Sequence, residues 1–488
     1  MKRCWMLALG AWLALPADAR TVGELSFEKC ELPVIGMRPS DPLNAECTTL
    51  RVPENWDAKD GRQIELAIAL VPSRAPRAKP DPVFMLAGGP GQSARESWRS
   101  VAGAFHAILA ERHVILLDQR GTGASNRFDC PLEEGLDPLA VDLDPAVAAQ
   151  AAKQCVQAAQ DTHDARFYGS EDAAKDLDRV RAALGAEQLN LIGVSYGTRM
   201  AQVYARRYPD RLRTMVLDSV VPNELALGTE HAINLEATLK ETLARCTSDI
   251  ECKEKFGDPY VTLYEVKNAI AAEPRMVSIR DPRTGTVSQR PLNPQSLSTV
   301  ARLYMYQPAT AALLPMVLAE ARAGRYEPLI AQAQMMGEDL GAQIAMGMHW
   351  SVLCAEDAPR FQPRPQDAGL IMGDDLVELS MAWCKEWPKR DMPDDIHAPA
   401  THAIPTLALS GQYDPVTPPR YGDQAVAQMK NARHIVLPGV GHSVMGHGCA
   451  PKLVDQFIDA ASAKELDPKC LESLTPAPFF LNFSGSAP

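Results

Sequence analysis

No apolar run reaches the roughly 18 residues of a membrane-spanning helix, so the chain is expected to be soluble, without membrane insertion. Basic residues are in short supply: 49 Lys and Arg face 61 Asp and Glu, a net charge of −12. That balance repels phosphate backbones and anionic lipid, which argues against a nucleic-acid partner. No two cysteines stand at C-x-x-C spacing, so no structural metal site is expected. Internal repeats and long low-complexity tracts are missing too. Aromatic residues make up only 6%, yet 46% hydrophobic and 23% charged residues are close to globular averages, which excludes wholesale disorder. At roughly 100–200 residues per domain, the 488 residues allow two to four units.

The amino terminus reads as an export signal. Lys2 and Arg3 precede an apolar run from Cys4 to Leu15, and Pro16-Ala17-Asp18-Ala19 offers a small-x-small cleavage site. Residues 1–19 are therefore expected to be removed, leaving Arg20 first. Of the 11 cysteines, Cys4 leaves with that segment. The remaining even number in an exported chain suggests disulfides, as in a periplasmic or extracellular protein. Sequence does not fix their connectivity; their positions fall into neighbouring couples, which suggests the pairs 30–47, 130–155, 246–252, 354–384 and 449–470.

From about residue 48 to 220, short apolar runs alternate with helical patterns. Ile64–Val71, Pro82–Leu86, His113–Leu117, Leu189–Val194 and Thr214–Leu217 read as strands. Glu171–Leu184 and Tyr196–Tyr208 read as helices, the latter stopped by Pro209. Continuous apolar strands alternating with helices indicate a mostly parallel, doubly wound α/β sheet. Residues 225–395 are rich in Ala, Leu, Met, Glu and Gln and read as a mostly helical insertion with little strand character. Strands return at Thr406–Leu409 and His434–Leu437, and Leu453–Ala461 reads as a closing helix. The expected organisation is a core in two parts, 20–224 and 396–475, a cap over 225–395, and an irregular tail over 476–488.

Gly193-Val194-Ser195-Tyr196-Gly197 matches G-x-S-x-G between a predicted strand and a predicted helix. That turn strains the serine backbone and exposes its hydroxyl. Small residues flank it because chain segments pack closely there. A serine nucleophile needs a base, and the base needs an orienting acid. In the α/β-hydrolase fold these follow the serine in the order acid, base. Asp414 and His442 each follow a late predicted strand, at the edge of a parallel sheet where substrates bind. Asp218 also follows a strand and is an alternative acid; His447 is an alternative base. The oxyanion donors are expected to be the backbone N–H of Tyr196 and of Gly89, in the loop Leu86-Ala87-Gly88-Gly89-Pro90-Gly91.

These blocks together resemble the α/β-hydrolase serine peptidases of the prolyl aminopeptidase and tripeptidyl aminopeptidase family. Gly88-Gly89-Pro90-Gly91 is similar to its H-G-G-P-G loop, with Ala87 at the histidine's place. Asp118-Gln119-Arg120-Gly121-Thr122-Gly123-Ala124-Ser125 is similar to D-Q-R-G-x-G-x-S, the most specific block. Ser195-Tyr196-Gly197-Thr198 is spelled closer to the tripeptidyl branch, and the coverage runs from about residue 45 to 470. The resemblance implies an exopeptidase that cuts short segments from peptides with a free N-terminus; Ser195, His442 and the backbone donors supply the chemistry, so no metal or organic cofactor is expected. The resemblance also implies acidic cap residues at the substrate amine, for which Cys354-Ala355-Glu356-Asp357 supplies Glu356 first and Asp357 second. A carboxylesterase or lipase with the same triad, and a non-catalytic binding protein on a hydrolase fold, are the alternatives.

Overall fold

The computed structural model describes residues 19–33, 43–130, 144–280 and 284–486. Apart from Ala19, the expected export signal lies outside the described residues. Ten strands form one sheet. In chain order β1 is Arg20–Val22, β2 Leu25–Glu31, β3 Asn44–Pro53, β4 Gln63–Val71, β5 Val83–Leu86, β6 Val114–Leu117, β7 Leu189–Val194 and β8 Leu212–Asp218. A hairpin of β9 (Arg275–Arg280) and β10 (Val287–Leu292) intervenes before β11 (Thr406–Gly411) and β12 (Ala432–Leu437). The sheet order is β1-β2-β3-β4-β6-β5-β7-β8-β11-β12. Pairings from β1 to β6 are antiparallel and those from β6 to β12 parallel.

Burial explains the parallel half. Every residue of β5, β6 and β11 is buried, because helices cover both faces. Successive residues go to opposite sides: Phe84, Ile115 and Leu191 join one core, and Met85, Leu116 and Ile192 join the other. Each such fully buried side chain stabilises by about 1.5–3 kcal/mol. The sequence reading left out β1, β2 and β3, which lie at the antiparallel edge, are largely exposed or half-buried and carry no continuous apolar run.

Beyond β8 the helices His231–Ser248, Pro259–Ala272, Pro294–Tyr304, Leu314–Arg322 and Glu327–Gln343 enclose a separate core that includes Leu239, Leu263, Val300 and Leu318. Asp258 and Asn293 cap two of them, each followed by proline at the first helical position. The insertion is mostly helical, as expected, and adds the β9–β10 hairpin, whose Val277 and Ile279 point inward from an otherwise exposed strand. One expectation needs correction here. The tail is not irregular: Phe480–Asn482 pairs with Gly485–Ser486, and the Phe480 N–H donates to Ala312 O at 3.1 Å. Phe479 packs there against Phe256 and Met316.

All five expected disulfides are present: Cys30–Cys47, Cys130–Cys155, Cys246–Cys252, Cys354–Cys384 and Cys449–Cys470. An aromatic cluster that includes Phe128, Tyr168, Tyr196, Trp350, Trp383 and Trp387 joins the insertion to the sheet below the serine turn. No helix among the described residues is long and apolar enough to cross a membrane.

Candidate active site

Ser195 follows β7 and precedes the helix Tyr196–Arg207 with φ 56° and ψ −123°, a strained conformation for a non-glycine residue. Its N–H donates to Asp218 O at 2.9 Å. The flanking glycines answer to space. A Cβ on Gly193 would lie 2.3 Å from Gly197 O, and one on Gly197 would lie 2.3 Å from Leu86 O.

Asp414 and His442 meet beside this turn. His442 Nδ1 lies 2.7 Å from Asp414 Oδ2. Thr417 Oγ1 donates to the same oxygen at 2.7 Å, while the N–H groups of Val416 and Thr417 donate to Asp414 Oδ1 at 2.9 and 2.7 Å. Burial works to raise the Asp414 carboxyl, but His442 and these donors outweigh it and hold it below the ordinary carboxylate range. Burial likewise opposes a charged His442, but Asp414, with help from Asp218, holds the imidazole above its usual value. With Nδ1 engaged, Nε2 is the ring nitrogen left for a serine hydroxyl. The His442 loop is fixed from the cap: its N–H donates to Tyr306 O at 2.9 Å, and Gln307 Nε2 donates to its carbonyl at 3.2 Å.

The two rivals fall into other roles. Asp218 accepts the N–H groups of Val444 and Met445 at 2.8 and 2.9 Å, anchoring the turn that follows His442. Burial raises its carboxyl. His447 is half-buried, and no hydrogen bond joins its ring to Asp414 among the described residues.

The glycine loop lies against the serine. A Cβ on Gly88 would be 3.1 Å from Ser195 Cβ. The N–H groups of Gly89 and of Tyr196, the first residue of its helix, make no hydrogen bond among the described residues. Two free donors beside a serine are what an oxyanion hole requires. The helix Met346–Val352 and the residues before it brace this loop. His349 Nδ1 lies 3.1 Å from Pro90 O, and the Ala345 N–H donates to Gly91 O at 3.0 Å. Burial, joined by the charge of Arg302, lowers His349 to about 4, so it is neutral and its Nδ1–H donates to that carbonyl.

Glu356 and Asp357 lie in the π-helical turn Leu353–Asp357 tied by the Cys354–Cys384 bridge. Glu356 is 2% exposed and accepts the Ser170 N–H at 2.7 Å and Ser170 Oγ at 2.9 Å. Ser170 Oγ in turn lies 2.7 Å from the Tyr196 hydroxyl. Asp357 receives Arg199 Nη1 on both oxygens, at 2.9 and 2.8 Å, and the Leu227 N–H at 3.1 Å. Burial raises Glu356 to about 7; Arg199 opposes the shift and Asp357 adds to it. The structure thus places Glu356 one serine away from the residue that follows Ser195, and engages Asp357 fully with Arg199.

Residues 81–448 match the family model described as alpha/beta hydrolase fold. The chain belongs to the α/β-hydrolase family. This hydrolase is similar to serine protease Hip1 of Mycobacterium tuberculosis, 25% identical over 476 residues, spanning 88% of each chain. It is 33% identical over 198 residues to the tripeptidyl aminopeptidase of Streptomyces coelicolor, covering 37% of this chain and 36% of that one. Carboxylesterase B of Mycobacterium tuberculosis is 29% identical over 274 residues, covering 51% of this chain and 52% of its own.

In this α/β hydrolase the D-Q-R-G block is a brace for the loop after β6. Arg120 is fully buried, pairs with Asp176 through Nε at 2.6 Å and Nη2 at 2.7 Å, and donates to the carbonyls of Glu54 and Phe167. Asp118 accepts Ser93 Oγ and the Arg95 and Ala124 N–H groups. Gln119 reaches the Tyr196 hydroxyl at 3.2 Å, which carries the brace into the site. Sequence reasoning missed Ser170, Arg199, Thr417 and His349. The one signal toward His349 was Ala87, which stands where the resembled motif has a histidine and so alters the support of the loop.

Proposed function

We propose that this serine hydrolase is an exported peptidase that releases short N-terminal segments, one to three residues long, from peptides with a free N-terminus. Ser195 Oγ attacks the scissile carbonyl carbon and gives its proton to His442 Nε2, while Asp414 orients and stabilises the imidazolium. The oxyanion is held by the Gly89 and Tyr196 N–H groups. As the C–N bond breaks, His442 protonates the leaving amine. Water then attacks the acyl-serine ester, His442 takes its proton, and the Ser195 hydroxyl is restored. These steps use protein groups and one water.

The observation that carries the exopeptidase reading is the charge at Glu356. Two buried carboxylates, Glu356 and Asp357, face the single guanidinium of Arg199, and Asp357 takes that guanidinium. One buried negative charge is left beside Tyr196, to be met by a proton or by a cation from the substrate. An α-amino group, with an ordinary pKa of about 7.7–8.0, supplies that cation at neutral pH. The names of two relatives, a serine protease and a tripeptidyl aminopeptidase, support the reading. The five disulfides and the amino-terminal apolar run support a periplasmic or extracellular location.

The test is a cycle of kcat/KM for wild type and Glu356→Gln, each with a free and an N-acetylated peptide amide. Acetylation should lower wild-type kcat/KM by roughly 10–150-fold, the size of a charge-assisted contact, and Glu356→Gln should do the same. The two losses should overlap rather than multiply. Acetylated peptides cut as well as free ones would end the aminopeptidase reading. Preference for simple esters with no need of an amine would instead favour the esterase that the carboxylesterase relative suggests.

A further inference from the structure

Arg302 is a cation without a partner beside the reacting groups. Arg302 is half-buried. Fully buried arginines among the described residues are paired, such as Arg120 with Asp176 at 2.6 Å, Arg199 with Asp357 at 2.8 Å and Arg112 with Asp81 at 3.0 Å. Arg302 makes no hydrogen bond and no ion pair among the described residues, and its Nε is closed off from solvent. In a chain with 61 acidic against 49 basic side chains, a carboxylate partner would be easy to supply. The Arg302 guanidinium is left open, and its planar fork of donors matches a carboxylate.

Its position ties it to the chemistry. Arg302 lies in the last turn of the helix Pro294–Tyr304, and the chain leaving that helix packs directly on the His442 loop. A Cβ on Gly441 would lie 2.5 Å from both Met305 O and Tyr306 O, and the Tyr306 ring centre is 4.9 Å from that of His442. Three histidines on three separate elements feel the Arg302 charge: His442 after β12, His231 at the start of its helix, and His349 on the helix that braces the oxyanion loop. His349 feels the charge of Asp357 as well as that of Arg302.

We propose that Arg302 binds a carboxylate on the leaving half of the peptide, the half whose new amine takes its proton from His442. This rests on the peptidase reading above and deepens it. The leaving half is assigned because the chain leaving the Arg302 helix packs on the loop of His442, the proton donor to the departing amine, whereas Glu356 is linked through Ser170 to Tyr196 on the oxyanion side. An ammonium at Glu356 and a carboxylate at Arg302 would select short peptides by both charged groups. The carboxylate can be the C-terminus of a short leaving fragment or the side chain of an Asp or Glu after the scissile bond.

Two matched pairs of peptides distinguish these sources: a short peptide as free acid against its C-terminal amide, and an amidated peptide with Asp against one with Asn just after the scissile bond. Wild type, Arg302→Lys and Arg302→Gln are compared by the ratio of kcat/KM within each pair, so a general loss of activity cancels. Circular dichroism checks that each variant is folded. Wild type should prefer the carboxylate member of at least one pair by roughly 10–150-fold. Arg302→Gln should bring that ratio to near one, and Arg302→Lys should keep part of it. Preference in the first pair alone assigns the C-terminal carboxylate; preference in the second alone assigns the side chain. Wild-type ratios near one, or a preference that survives in Arg302→Gln, overturn the proposal while leaving the peptidase reading intact. Esters turned over with no peptide cut would overturn both.

Discussion

Glu356 and Tyr196 share one hydroxyl: Ser170 Oγ lies 2.9 Å from Glu356 Oε2 and 2.7 Å from the Tyr196 hydroxyl. A carboxyl held this way behind the nucleophile turn makes stability depend on pH. Burial raises Glu356 to about 7 from a model-peptide value near 4.5. The folded chain therefore keeps a proton that the unfolded chain loses, so stability falls as pH rises from about 4.5 to about 7 and is level above that. Glu356→Gln carries no such charge. Its stability relative to wild type should rise between pH 5 and pH 8 by up to about 2–3 kcal/mol. Thermal unfolding of both proteins across that range checks it; a pH-independent gap would show that Glu356 is ionised throughout.

Asp218 and Asp414 both lie near His442 but should fail differently. Asp414→Asn removes the ring's orienting partner and should cost about 10⁴ in kcat. Asp218→Asn loses one of two backbone N–H contacts to the turn at Val444 and Met445 and should cost on the order of 10-fold. The negative charge of Asp218 helps to raise His442. His442 must be neutral to act as base, so activity rises with pH through its pKa. Losing Asp218 should move that acid limb to lower pH. The kcat/KM–pH profile decides: a loss as deep as that of Asp414→Asn with no shift of the limb would make Asp218 the acid.

What could be read from the sequence was what a period or a local turn imposes. Buried parallel strands such as Val83–Leu86 are apolar at every position, and the Ser195 turn has its glycines because Cβ atoms would collide with backbone. Asp414 and His442 were found because each follows such a strand. The arrangement around Glu356 was not legible. Its partner Ser170 is 186 residues away in the chain, and Arg199 is 158 residues from Asp357, with no spacing rule joining them. The β9–β10 hairpin was missed because only Val277 and Ile279 of its first strand face inward. The tail hairpin was missed because its docking partner, Ala312, lies in the cap.

The disulfide at Glu356 should matter more than the shorter one in the cap. Cys354–Cys384 spans 30 residues and Cys246–Cys252 spans 6. Loop-closure entropy gives about 3.5 kcal/mol for the first and about 2 kcal/mol for the second. Replacing both cysteines by alanine should therefore lower Tm further at 354 and 384. It should also weaken the preference for a free substrate amine, because Cys354 belongs to the turn that carries Glu356. Calorimetry of the two double variants tests the order; equal or reversed losses would contradict the entropic account.

His349 braces the loop that follows β5, where Ala87 precedes Gly88 and Gly89. Its ring meets Pro90 O at 3.1 Å, next to Gly89. A neutral hydrogen bond of this kind is worth about 0.5–1.5 kcal/mol. The oxyanion forms only after attack, so a loosened loop should weaken the transition state more than the bound substrate. His349→Ala should therefore lower kcat by about 2–10-fold with KM little changed. His349→Asn, whose side-chain N–H can reach the same carbonyl, should recover most of that loss. Burial keeps the ring neutral down to about pH 4, so the defect should be constant between pH 5 and pH 8. A purely structural role would lower Tm and raise KM in both variants alike. A defect carried by KM, or one that His349→Asn fails to relieve, would remove His349 as the support of Gly89.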